Sequence, residues 1–226
     1  GTNNISGAGS VAMDSTSTLI TASAAGLAGS IQVSNPGGCT FTQKAKFQFT
    51  GTSVNTGFST FTGLSSFIFY NIAWAGNTSL TLDKSVRVQT FDFTNNGLVY
   101  LGNNDLSMSY TGVINGAPFS SSKMFVTDGT GSMYRFVVLS TGIPFTWPIG
   151  EVTGTAEYSP VTIGAIAGNT AITSAMGFRV TDNNAPGNAP AVNYASRYWT
   201  FATNNNFTAG TSWSNATFRS EEHTSE

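Results

Sequence analysis

Apolar residues recur at every second position in short bursts along the first half of the chain. Ile31-Gln-Val33, Phe47-Gln-Phe49, Leu80-Thr-Leu82, Val86-Arg-Val88, Phe91-Asp-Phe93 and Leu106-Ser-Met108 each set two apolar side chains on one face and a polar one on the other. That is the period of a half-buried strand, and no stretch carries the 3.6-residue period of an amphipathic helix. The bursts are three to five residues long and are separated by corners such as Asn95-Asn-Gly97 and Gly102-Asn-Asn104. Glycine and asparagine supply the positive φ that a sharp corner requires. Very short strands with such corners fit either a parallel β-solenoid or a meander of hairpins. Asn-Gly hairpins join longer strands than these, so residues 1 to about 115 read as a solenoid, although no strict period emerges.

From about Ser120 the pattern changes. Met124-Phe-Val126 and Met133-Tyr-Arg-Phe-Val-Val138 flank Asp128-Gly-Thr-Gly131, a turn of the hairpin kind. Longer strands are expected at Pro160–Ile163, Gly177–Val180, Tyr198–Phe201 and Thr211–Trp213, with polar loops between them. This is the grammar of an antiparallel sandwich. The expectation is an all-β chain: a solenoid over 1–118, a β-sandwich over 119–218, and a boundary at Asn115–Pro118 and the serines at 120–122.

Composition narrows the setting. The last eight residues, Arg219 to Glu226, hold the only histidine and three of the five glutamates, and they resemble the translation of a sequencing adapter. Read as non-native or disordered, this tail is expected to pack against nothing, leaving Glu221 and His223 exposed. Without it, eight basic residues face eight acidic ones. No basic stripe exists to neutralise phosphates or an anionic membrane, so neither nucleic acid nor membrane insertion is expected. The longest apolar stretch, Phe67–Ala75, falls well short of the ~20 residues of a membrane span and reads as a buried strand or strand pair. Seventeen Phe, seven Tyr and four Trp supply too much apolar surface for disorder. Cys39, the sole cysteine, reads as a small buried apolar side chain.

Several strings in the second half are more specific: Phe145-Thr-Trp-Pro-Ile-Gly150, Tyr158-Ser-Pro-Val-Thr-Ile163 and Ala195-Ser-Arg-Tyr-Trp-Thr-Phe201. With Phe125–Gly131, Phe47–Gly51 and Asn95–Gly102, they resemble large repetitive β-strand surface proteins of Bacteroidota. In that family a succession of tyrosine-valine, phenylalanine-proline-valine-glycine, tyrosine-proline-valine and arginine-x-tryptophan recurs. The resemblance covers roughly residues 30 to 218, and its motif positions here are Trp147, Pro148, Gly150, Tyr158, Pro160, Arg197 and Trp199. It implies secretion, commonly by the type IX route, display at the cell surface, and a structural or adhesive role. It brings no catalytic residues.

The same strings have a physical reading of their own. Arg197, Trp199 and Phe201 share a strand face, so the two aromatics are expected in a core with Arg197 at its rim, stacked on a ring or paired with Glu151 or Glu157. Pro148 removes a ladder donor and Gly150 permits a turn, as where a strand leaves a sheet at its edge.

Candidate chemistry is sparse. With His223 set aside no Ser-His-Asp or Cys-His pairing is available. Glu151 and Glu157, the only glutamates before the tail, are expected to flank a solvated loop rather than face each other across a glycoside. Asp83, Lys84 and Arg87 read as neighbours on the exposed face of a strand. Asp128-Gly-Thr-Gly131 and Asp182-Asn-Asn184 each offer one carboxylate and suit turns better than calcium. No cofactor or metal is called for. Core packing is the favoured use of the four tryptophans, since Trp buries most of its area; should one form an exposed aromatic platform, Trp147, beside a proline at a strand end, is the candidate glycan contact. The leading expectation is a non-enzymatic secreted or surface structural module, part of a larger repetitive protein, with extracellular glycans or other surface proteins as partners. The alternative is a carbohydrate-binding module.

Overall fold

The computed structural model describes residues 4–137, 144–164, 166–167, 174–183, 197–203 and 212–220. It is all-β, with a parallel β-solenoid of about six turns followed by antiparallel strands. Of the tail expected to pack against nothing, Arg219 N in fact donates to the Pro160 carbonyl at 3.2 Å, while Glu221 and His223 lie outside the described residues, as does Asn184.

Two sheets face each other across one core. The longer runs from Thr18–Thr21 through Lys46–Phe49, Phe69–Trp74, Val86–Phe93, Leu106–Asn115 and Met133–Phe136 to Ala175–Asp182 and Arg197–Thr203. Its first six strands pair in parallel and its last two join antiparallel. The shorter sheet stacks Ser53–Asn55, Ser79–Thr81, Gly97–Tyr100, Lys123–Val126 and Ile149–Glu151 in parallel, then closes with Glu157–Tyr158 antiparallel. Near the N-terminus, Ile5–Gly7 pairs in parallel with Ile31–Val33 and Ala12–Met13 with Thr40–Phe41.

The alternating bursts become the inward column. Phe47, Ile72, Val88 and Met108 from the longer sheet, and Leu80, Val99 and Phe125 from the shorter, are all fully buried. Edge-to-face ring contacts run through this column: Phe41 to Phe47 and Phe61, Phe47 to Phe58, then Phe91 and Phe93 to Phe125. Cys39 is buried among them, as expected.

No strict period emerged because the coils differ in length. Leu19 pairs with Phe47, 28 residues on, whereas Ile72 and Phe91 on adjacent strands are 19 apart. Only the strands must align, and the corners absorb the difference. There, asparagine amides bond to the preceding coil, Asn95 Nδ2 to the Ala75 carbonyl at 2.7 Å and Asn104 Nδ2 to that of Leu82 at 2.9 Å. Those carbonyls sit where the ladders stop, so the asparagines satisfy backbone groups that would otherwise lack partners.

Two expectations change. Asp128–Gly131 is not a hairpin turn: the strands it joins, Lys123–Val126 and Met133–Phe136, belong to different sheets. A solenoid corner and a hairpin use the same turn residues, so local sequence does not separate them. The parallel ladders also run past residue 118, to Phe125–Val126 on Ile149–Gly150 and Leu106–Met108 on Met133–Arg135. The antiparallel strands are added to the ends of the same two sheets, and a single buried cluster extends from Met13 to Phe178.

Candidate functional site

The motif strings converge at the antiparallel end. Phe145–Trp147 pairs antiparallel with Val161–Ile163, and Ile149–Glu151 enters the shorter sheet, so the chain changes sheets at Pro148. In that sheet Ile149–Glu151 is flanked on both sides, an interior rather than an edge position, and the Pro148 carbonyl accepts from Phe125 N at 2.9 Å. Gly150 is required by crowding: a Cβ there would overlap the Glu157 carbonyl and the Met124 sulfur. Tyr158 packs in a small cluster with Met124 and Val126, and buried Pro160 follows.

Opposite register positions then set four charges together. Glu151 pairs with Glu157 across one ladder, and Asp182 with Arg197 across another. Arg197 Nη2 lies 3.6 Å from Glu151 Oε1 and also contacts Glu157 Oε2. Its Nη1 donates to Ser159 Oγ at 2.8 Å, and Trp199 Nε1 donates to the Ser159 carbonyl at 3.0 Å. Glu151 Oε2 accepts from Thr153 N at 2.6 Å. The node is dry: the Arg197 and Glu151 side chains are each 1% exposed and that of Glu157 is 21%.

Burial pushes the Glu151 carboxyl above its usual range, and Asp182 adds to the rise, while the Thr153 amide and Arg197 offset only part of it. Asp128, whose Oδ1 accepts from Val152 N at 3.2 Å, is raised by burial and by Glu151 and Asp182. One guanidinium thus serves an excess of acids. Among the described residues no cluster has the makings of a metal site.

Arginine pairing with Glu151 and Glu157 was legible in the sequence; its placement was not. Arg197 is buried whereas Phe201 is 42% exposed, the reverse of the expected rim and core, and Trp199 is half-buried. Glu151 and Glu157 do flank a solvated loop, exposed at Thr153, Gly154 and Thr155, but the Glu151 side chain turns away from it into the buried node. Both glutamates contact the same guanidinium nitrogen, so arginine occupies the space between them that a glycoside would need.

Trp147 is not an exposed platform. It has no exposed surface and is held edge-on between Phe145 at 4.8 Å and Phe178 at 5.0 Å. Trp74 is equally buried. Asp83 and Lys84 do not decorate a strand face but clamp the 3₁₀ turn Phe58–Thr60. Asp83 accepts from Phe58 N, Ser59 N and the hydroxyls of Thr56 and Ser59, and Lys84 Nζ donates to the carbonyls of Phe61 and Leu64. Arg87 stands apart, over the rings of Phe136, Phe67 and Phe69 at 4.7, 5.3 and 5.8 Å.

Sequence reasoning missed Ser159, the hinge of the node, although it sits inside the Tyr158-Ser-Pro160 string. It also missed Arg135, a charge in the dry register of its strand between Met133 and Val137; that alternation was the available signal. Comparison with protein-family models, curated proteins and solved structures finds no match.

Proposed function

We propose that this chain is a non-enzymatic structural and adhesive module of a secreted or cell-surface protein. The observation that carries the reading is how the conspicuous groups are used. Arg197 holds two glutamates, Trp147 and Trp74 are core residues, and Asp83 and Lys84 cap a corner. Each fastens one element of the fold to another. A charge-poor exterior rich in Asn, Thr, Ser and Gly suits a module that keeps its solubility without offering a large field of either sign.

Two measurements test it together. An antibody raised against residues 1–218 is expected to label intact cells that carry the parent protein, with no added signal after lysis. Incubation with neutral and acidic polysaccharides is expected to release no reducing ends. Label confined to lysed cells, or turnover abolished by Glu151→Gln, would overturn the proposal.

A further inference from the structure

A cleft of about 610 Å³ opens beside the antiparallel end, lined by Tyr110, Val113, Phe119, Arg135, Phe145 and Thr146 among others. It owes its existence to an irregularity in the Leu106–Asn115 strand. Val88 pairs with Met108 and Thr90 with Val113, so residues 109–112 stand opposite Gln89 alone. The bulge turns the Tyr110 carbonyl toward Arg135 and leaves Tyr110 and Val113 each about half exposed. Close packing fixes it: a Cβ on Gly112 would lie 2.9 Å from the Ser109 carbonyl oxygen and 3.1 Å from that of Gln89.

Arg135 is the unusual group. It is 9% exposed and forms no ion pair among the described residues. Its Nη2 donates to the Tyr110 carbonyl at 2.7 Å, and its guanidinium carbon lies 3.9 Å from the centroid of Phe145. Asp92, the ladder partner of the cleft-lining Asn115, is already engaged by Asn115 at 2.7 Å and Lys46 at 3.2 Å. A guanidinium has five N–H donors in a planar fork, and one of them is used here. Burial lowers its pKa to about 10, which still leaves it cationic at neutral pH. A buried cation without a counter-charge is costly, and the Tyr110 carbonyl and the Phe145 ring offset only part of that cost.

We propose that the cleft binds an acidic sugar, a pyranose carrying a carboxylate, with Arg135 as the carboxylate's partner. The free edge of the guanidinium offers the carboxylate a paired, planar contact. Tyr110, a half-exposed lining residue, supplies an aromatic ring for the sugar's C–H surface, and Thr146, whose hydroxyl is shared with that of Thr162 at 2.8 Å, also lines the cleft. The volume lies within the range of roughly 300–1,000 Å³ typical of small-ligand sites. This binding is independent of the scaffold role proposed above.

Calorimetric titration of the full chain with a galacturonic acid trisaccharide, and separately with the neutral galactose trisaccharide, tests it. The acidic sugar is expected to bind at least ~10-fold more tightly, as one charge-assisted paired contact supplies. Arg135→Gln is expected to bring the acidic sugar down to the neutral one's affinity. Arg135→Lys is expected to recover little, since a lysine lacks the fork. Melting of both variants, followed by circular dichroism, reports whether they fold. Tyr110→Ala, at a half-exposed ring, is expected to weaken binding several-fold and serves should the arginine variants unfold. Equal affinity for the two sugars, undiminished binding in Arg135→Gln or Tyr110→Ala, or no heat at millimolar acidic sugar would each sink the assignment.

Discussion

At the scale of single residues, the decisive group is Arg197. Its partner Glu151 is buried and Glu157 mostly so, so its removal strands charge in a dry environment: Arg197→Ala is expected to cost about 3–5 kcal/mol in urea unfolding. Glu151 gives the node a pH signature. Its folded-state pKa is raised above the ordinary value of 4.5, so the folded chain holds that proton more tightly than the unfolded one. Stability therefore falls as pH rises from about 4.5 through the raised value, and the penalty is complete above it. Glu151→Gln is expected to shrink that slope in urea midpoints measured between pH 4 and 7, and an unchanged slope would show that Glu151 titrates normally. Glycines show how little one residue's text can say. Gly102 takes φ +57, the corner conformation its Asn-rich surroundings suggest. At Gly97 and Gly76 the demand comes instead from Trp74, whose indole a Cβ at either position would overlap, and that contact spans more than twenty residues in one case and two in the other.

At the scale of elements, the strands were legible and their partners were not. Period-two alternation located Ile31–Val33, Phe47–Phe49, Val86–Val88 and Leu106–Met108 because a half-buried strand writes its burial into adjacent letters. Val86–Val88 and Phe91–Phe93 prove to be one strand, interrupted at a register shift that two separate bursts already hinted at. The corner Phe58–Thr60 depends on an aspartate a full coil away. Burial alone would raise the Asp83 carboxyl, but bonds from Ser59, Thr56 and Phe58 outweigh it and hold the pKa low. A lowered value means that this stabilisation is present above the ordinary carboxylate range and is lost as pH falls through the folded-state pKa. Asp83→Ala is expected to cost about 1–2 kcal/mol at pH 7, the size of a lost cap, with the difference from the parent shrinking in acid. A constant difference down to pH 2 would place the loss in packing rather than in the ionised carboxylate.

At the scale of the whole molecule, solenoid and antiparallel end share one core and two continuous sheets, with Trp147 packed on Phe178 and Arg135 in the same ladder as Met108 and Met176. Unfolding followed by tryptophan fluorescence and by far-ultraviolet circular dichroism is expected to give coincident midpoints. Two separated transitions would restore a domain boundary near 118. Alternation and turn chemistry are local properties of the chain, and by themselves they determined that it is all-β, that its strands are short, and that parallel coils precede antiparallel strands. The Arg197 pairing was also within reach, as one of two kinds of partner open to an arginine on an aromatic strand face, a ring or one of the two glutamates before the tail. Tertiary structure alone decided that Phe201 is exposed, that a hairpin-like turn is a coil corner, and that Arg135 opens on a cleft. The reason is physical: sequence period records which side of a strand is dry, but burial and pairing are set by what stacks above and below, and in a solenoid those neighbours lie some twenty residues away.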